Sequence, residues 1–148
     1  MRRRINYSFR IIYAFYRLLN KYNKSTPLEA WLDTQLLPYN DENESETSML
    51  FGPEFLSLKL YQLCSNEDRE LGKLLIRSGS LFLKDLATAK HFTEGMFGSV
   101  KRAFVICDED ITIKEEFQRW MIENNPMVEV KELNGVDHMP MLCDPKQL

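Results

Sequence analysis

Ala103-Phe104-Val105-Ile106-Cys107 is an unbroken apolar run that ends in the acids Asp108, Glu109 and Asp110. A run of that length without alternation reads as a strand covered on both faces, the situation found in a parallel sheet. A helix pattern follows. Thr112 and Glu115 form a capping box, Ile113, Phe117, Trp120 and Met121 supply a buried face, and Asn125-Pro126 stops it. Val128 to Leu133 then reads as a second strand. Strand, helix and strand of this size make a βαβ unit, so the two strands run parallel. Two parallel strands neither close a sheet nor bury both of its faces. The expected fold class is therefore α/β, with these residues part of a larger parallel-sheet domain. Asp144-Pro145 agrees: it is a helix cap and first-turn proline, with only Lys146, Gln147 and Leu148 after it.

Upstream the texture differs. Pro27 opens a short helical turn through Glu29, Ala30 and Trp31, which Leu36-Leu37-Pro38 closes. Asp41, Glu42, Glu44 and Glu46 make a solvated acidic loop, and Ser48-Met49-Leu50-Phe51 reads as a short strand ended by Gly52. Pro53 suits a first helical position, and Leu56, Leu60 and Leu63 recur at helical spacing. A second helix begins at Ser65 with Asp68 as capping partner, and Leu71, Leu74 and Leu75 are expected to form its buried face. Ser78-Gly79 breaks the pattern, and Leu81 to Ala89 reads as one more short helix.

At 148 residues and 17.5 kDa the chain has room for one domain with a core. Its net charge of −3 hides an asymmetry. Residues 1–28 hold seven bases and no acid, whereas residues 29–148 hold 12 bases against 22 acids, a balance of −10. An acidic body is a poor nucleic-acid binder, because phosphate affinity depends on Lys and Arg. No apolar stretch is long enough to span a membrane. The basic leader, residues 1–24, interleaves Arg2, Arg3, Arg4, Arg10 and Arg17 with Ile5, Phe9, Ile11, Ile12, Phe15, Leu18 and Leu19. It reads first as a surface helix, or as a start of translation in unusual sequence, and second as an organelle transit peptide. Cys64, Cys107 and Cys143 are too few and too far apart for a disulfide framework or a metal box, which suits a reducing compartment such as the cytoplasm.

Of the two histidines, His91 stands in no constellation, whereas His138 lies in a glycine-containing loop, Asn134-Gly135-Val136-Asp137-His138, after a strand. Sites of open α/β sheets form at the carboxyl ends of strands, and Asp108 and Asp110 leave the neighbouring strand at the same edge. An acid followed by a histidine suits the second and third members of a hydrolase triad. A surface histidine beside unremarkable acids fits the spacing equally well. The nucleophile is missing: no G-x-S-x-G elbow occurs, and neither Cys64 on a helix nor Cys107 in a strand is placed as a substitute. Neither a phosphate loop nor a metal box is present, so no cofactor is expected.

Longer motifs carry a resemblance. Thr26-Pro27-Leu28-Glu29-Ala30-Trp31-Leu32-Asp33-Thr34-Gln35, Phe51-Gly52-Pro53, Lys59-Leu60-Tyr61-Gln62-Leu63-Cys64-Ser65, Phe97-Gly98-Ser99-Val100-Lys101-Arg102, Glu115-Glu116-Phe117-Gln118-Arg119-Trp120 and Asp137-His138-Met139 are among them. Together they resemble the plant methylesterase and hydroxynitrile lyase family of α/β-hydrolases, on its salicylic-acid-binding methylesterase and polyneuridine-aldehyde-esterase-like branch. The likeness covers about residues 22–148.

The resemblance implies that residues 25–92 are the lid and 93–148 the C-terminal part of the hydrolase core, a partial α/β-hydrolase fold. It places the triad acid at Asp110, not Asp108, and the base at His138. Trp31, Phe51, Leu81 and Met139 are implied to line the substrate site, although Trp31 and Phe51 serve equally as lid packing. Methionine after the histidine, where the lyases carry lysine, favours an esterase over a hydroxynitrile lyase. The implied activity is hydrolysis of methyl esters of plant hormones such as salicylate, jasmonate or indole acetate. The implied partner is a small aromatic or lipid-derived methyl ester or its acid, with no nucleic acid and no membrane. Because the serine elbow and oxyanion loop are absent from these 148 residues, the chain alone is expected to be inactive. A non-catalytic module that binds a small aromatic acid is the alternative, and exposed strand edges allow homo-oligomers.

Overall fold

The structure, a computed structural model, describes residues 21–22, 24–38, 47–81, 100–124 and 128–148. The basic leader up to residue 20, the acidic loop 41–46, His91 and the helix expected from Leu81 to Ala89, apart from Leu81 itself, lie outside the described residues.

Leu28–Trp31 is a 3₁₀ turn that follows Pro27. It does not run on to Leu36: Leu32 takes a φ of 51°, and Gln35–Pro38 is strand β1 instead. Backbone pairing of β1 with β2 (Thr47–Leu50), Gln35 opposite Leu50, decides against the helical turn. A leucine in the left-handed region is strained, and the turn it makes delivers Asp33 to a helix start. The Asp33 carboxylate accepts the N–H groups of Glu54 and Phe55, each at 2.9 Å. These belong to α1 (Pro53–Phe55), whose N-cap, Gly52, has no side chain to offer. Glycine is needed at 52 because a Cβ there would meet Asp33 Cγ at 2.1 Å. The helix continues as a π-turn, Leu56–Leu60.

α2 (Asn66–Leu75) starts as its capping signal foretells: Ser65 Oγ accepts the Asp68 N–H and donates to Asp68 Oδ2. Its leucines depart from expectation. Leu71, Leu74 and Leu75 are 50%, 72% and 62% exposed, and Leu63 is exposed as well. Helical spacing gathers apolar residues on one face, but only a second element can cover that face. β3 (Gly79–Ser80) completes an antiparallel sheet in the order β1-β2-β3.

β4 (Arg102–Cys107) and β5 (Val128–Leu133) are parallel, Arg102 opposite Val128 and Cys107 opposite Leu133. Among the residues with described burial, full burial reaches only their carboxyl ends, at Ile106, Cys107 and Leu133; Ala103 and Val130 are exposed. The crossover helix α3 (Glu115–Glu123) begins after Lys114, with no capping side chain. Thr112 therefore does not form the expected capping box, because its N–H bonds back to Asp110. Gln118 on α3 is buried and ties the strand end to the loop that follows it. Its Oε1 accepts the Cys107 N–H, and its Nε2 donates to the Cys107 and Ile113 carbonyls. α4 (Pro140–Cys143) is one turn, and Asp144 then accepts the Lys146 N–H in a turn instead of starting a helix.

Two small cores result: Phe55, Leu56 and Leu60 in the first part, and Cys107, Leu133 and Val136 in the second. Hydrogen bonds stitch them together, from Tyr22 Oη to the Thr112 carbonyl at 2.8 Å and from Gln62 Nε2 to the Glu109 carbonyl at 2.5 Å.

Asp33 gives a test of the first part. Partial desolvation works to raise its pKa, but donation from the Glu54 and Phe55 N–H groups holds it below the ordinary carboxylate value. Its stabilising contribution is thus complete above about pH 4 and is lost as pH falls through the lower native value. Asp33→Ala is expected to cost about 1 kcal/mol at pH 7, as removal of a capping side chain does. In urea unfolding the gap between variant and parent should narrow in strong acid.

Candidate active site

Parallel pairing sets the carboxyl ends of β4 and β5 side by side, and the two acids and the histidine leave from that edge. Asp108 and Asp110 have different partners. Asp108 Oδ1 accepts the N–H groups of Gly135 and Val136, at 2.7 and 3.3 Å, and so holds the loop that carries His138. Gly135 suits this bend because its φ is +68°, where side chains are disfavoured. Asp110 faces the ring itself: its Oδ2 lies 2.8 Å from His138 Nδ1.

The other oxygen of Asp110 is committed to backbone. Oδ1 accepts the Thr112 and Ile113 N–H groups, at 2.8 and 2.9 Å. The carboxyl is buried, its side chain 5% exposed against 28% for His138. A carboxylate is an acceptor only, so the proton between the two groups sits on Nδ1. In the neutral imidazole Nε2, on the far side of the ring, then carries the lone pair. An imidazole in this tautomer, beside a fixed carboxylate, can take a proton at Nε2 and return it.

Asp137, one residue before the histidine, is fully buried and bonds to the Leu63 and Met139 N–H groups. Sequence reasoning left both it and Gln118 without a role. Their only signal was their place inside the motifs Asp137-His138-Met139 and Glu115 to Trp120.

Three of the four implied substrate-lining residues meet on one cluster. Trp31, Phe51 and Met139 pack on Phe55, Leu56 and Leu60, with Phe51 stacked on Phe55 at 4.9 Å and Trp31 on Phe55 at 5.8 Å. Leu81 follows β3, half-buried, and is not part of this cluster.

Neither buried thiol is an activated nucleophile. Burial, with the nearby Asp137, pushes Cys64 up to about 12; burial, with Asp110, pushes Cys107 up to about 11. Among the described residues no group of His, Cys, Asp and Glu could hold a metal ion, and no helix is long and apolar enough to cross a membrane.

No family model matches the chain. Individual relatives match it closely. Over 131 residues, 88% of this chain, it is 56% identical to salicylic acid-binding protein 2 of Nicotiana tabacum, covering 50% of that protein. Methylesterase 1 of Arabidopsis thaliana is 50% identical over 88% of this chain and 49% of its own length. The chain is homologous to the plant methylesterases. The crystal structure of polyneuridine aldehyde esterase matches with a TM-score of 0.81 at 47% identity, over 87% of this chain and 51% of that one. This methylesterase homologue therefore has part of an α/β-hydrolase fold, and it spans about half the length of the curated relatives it matches.

Two measurements check the site. Nitrogen-15 NMR should show His138 protonated at Nδ1 and bare at Nε2, whereas Asp110→Asn should return it to the Nε2–H tautomer that free imidazole prefers. Iodoacetamide at pH 8 should leave Cys64 and Cys107 unmodified in the native chain and label both in urea, because their raised values keep them as thiols until the fold opens.

Proposed function

We propose that this chain carries the lid and the acid–base half of a methylesterase-like hydrolase. The observation behind it is the 2.8 Å bond between Asp110 Oδ2 and His138 Nδ1. In this reading Asp110 holds the tautomer and stabilises the imidazolium. His138 Nε2 takes the proton of a serine as it attacks the ester carbonyl, then hands it to the departing methanol. Residues 25–92 form the lid and 93–148 the end of the core. Trp31, Phe51, Leu81 and Met139 line the site and favour a small aromatic or lipid-derived acyl group, with salicylate, jasmonate and indole acetate as candidates. Salicylic acid is named for the Nicotiana relative, and methylesterase activity for the Arabidopsis one. The three free thiols suit the cytoplasm.

The serine and its oxyanion donors come from outside these 148 residues. The chain alone is expected to leave methyl salicylate untouched. Joined to the serine-bearing half of a methylesterase, it should restore hydrolysis, and His138→Ala should then lower kcat/KM by at least about a thousandfold. Turnover by residues 1–148 alone that His138→Ala abolishes would overturn this assignment. Cyanide release by the joined protein would move it to the lyases.

A second reading is favoured because, among the described residues, neither buried thiol is an activated nucleophile. It makes the chain a binder of small aromatic acids. Saturable salicylate binding by a joined protein that stays inactive on methyl esters would select it.

A further inference from the structure

The histidine loop is held by a carboxyl group that the acid–base scheme leaves unused. Asp137 is 0% exposed, and among the described residues no cationic side chain pairs with it. A buried carboxyl without a cation is costly unless donors satisfy it. Its donors come from two separate segments. Oδ2 accepts the Leu63 N–H at 2.8 Å, from the turn that follows the π-turn Leu56–Leu60. Oδ1 accepts the Met139 N–H at 2.9 Å, on the far side of the histidine. The Cys64 thiol lies 3.5 Å from Oδ2 and 3.8 Å from Oδ1, so its proton is shared between them.

One side chain thus ties together backbone groups 74 residues apart in sequence from it and two residues beyond it. His138 is the residue enclosed. Its other neighbour, Met139, also reaches across, packing on the Phe55, Leu56 and Leu60 cluster. Asp108 holds the same loop at Gly135 and Val136, but from the β4 side. Among the described residues only Asp137 links the loop to the Leu63–Cys64 turn by hydrogen bonds.

We infer that Asp137 is a positioning residue, a latch that makes seating of the Leu63–Cys64 turn and orientation of His138 toward Asp110 a single event. Its functional meaning rests on His138 being the acid–base residue; its geometry does not. Aspartate is the residue type required, because each oxygen faces an N–H donor. Asparagine would turn its own NH₂ toward one of them, leaving two donors opposed.

The test is hydrogen exchange by NMR on the full 148-residue chain, read together with the His138 Nδ1–H proton resonance. In the unsubstituted chain the Leu63 and Met139 amides should exchange with the same protection factor, since release of one carboxyl frees both. Asp137→Asn should lower both factors by about tenfold to a hundredfold and broaden the Nδ1–H resonance, with the β4–β5 amides unchanged. Unrelated exchange rates for Leu63 and Met139 in the unsubstituted chain would overturn the latch, and need no variant that folds. So would an Asp137→Asn chain whose Nδ1–H resonance is intact, or one in which every amide loosens together. None of these readouts is turnover. A joined hydrolase that is inactive while the amides exchange together refutes the hydrolase assignment alone, and turnover with uncoupled amides refutes the latch alone.

Discussion

Parallel, in-register pairing of β4 with β5 is the constraint from which the site follows. With Cys107 opposite Leu133, everything that leaves the two carboxyl ends arrives at one edge. Had the strands run antiparallel, the acid and the histidine would stand a strand length apart, about 20 Å for six residues. Instead the bond between Asp110 and His138 closes across 28 residues of chain. The crossover helix serves this edge directly, because Gln118 saturates the Cys107 backbone where the ladder ends. A buried strand end with unpaired N–H and carbonyl groups would be costly, and one amide side chain supplies both partners.

Carboxylates that accept backbone N–H groups recur throughout. Asp33 caps α1 from a distance, Asp108 holds the histidine loop, and Asp110 gives one oxygen to the backbone so that the other can face the ring. Asp137 does the same between two segments. The surplus of acids over residues 29–148 is therefore not only a surface field. Several of these acids organise turns in which no regular element pairs the backbone, and charge-assisted bonds of this kind are the stronger sort.

Aromatic rings connect the two parts alongside the hydrogen bonds. Phe51, Phe55 and Trp31 stack in series; Tyr22 meets Trp31 edge-on at 5.7 Å and Phe117 at 5.6 Å, and Phe117 leads to Trp120. Tyr22 sits at the midpoint, its hydroxyl on the Thr112 carbonyl beside Asp110. The leucines of α2 stand apart from this line, and their exposure marks a face that the described residues do not cover.

The sequence by itself determined the βαβ unit, the pairing direction of β4 and β5, and the edge from which the two acids and the histidine leave. These follow from apolar run length, helical spacing and the proline stop, which are local properties. It also carried, through long motifs, the relationship to the methylesterases. Which aspartate faces His138 was beyond spacing, since Asp108 and Asp110 are two residues apart and leave the same strand; the motif likeness named Asp110, and the Thr112 and Ile113 N–H groups are what aim it. Tertiary structure alone decided that Gln35–Pro38 is a strand, because β2 supplies the partner. It alone decided that Leu71, Leu74 and Leu75 are exposed, because periodicity gathers a face without covering it. The work of Asp33, Gln118 and Asp137 was equally hidden, since each acts on backbone groups that no side-chain pattern records.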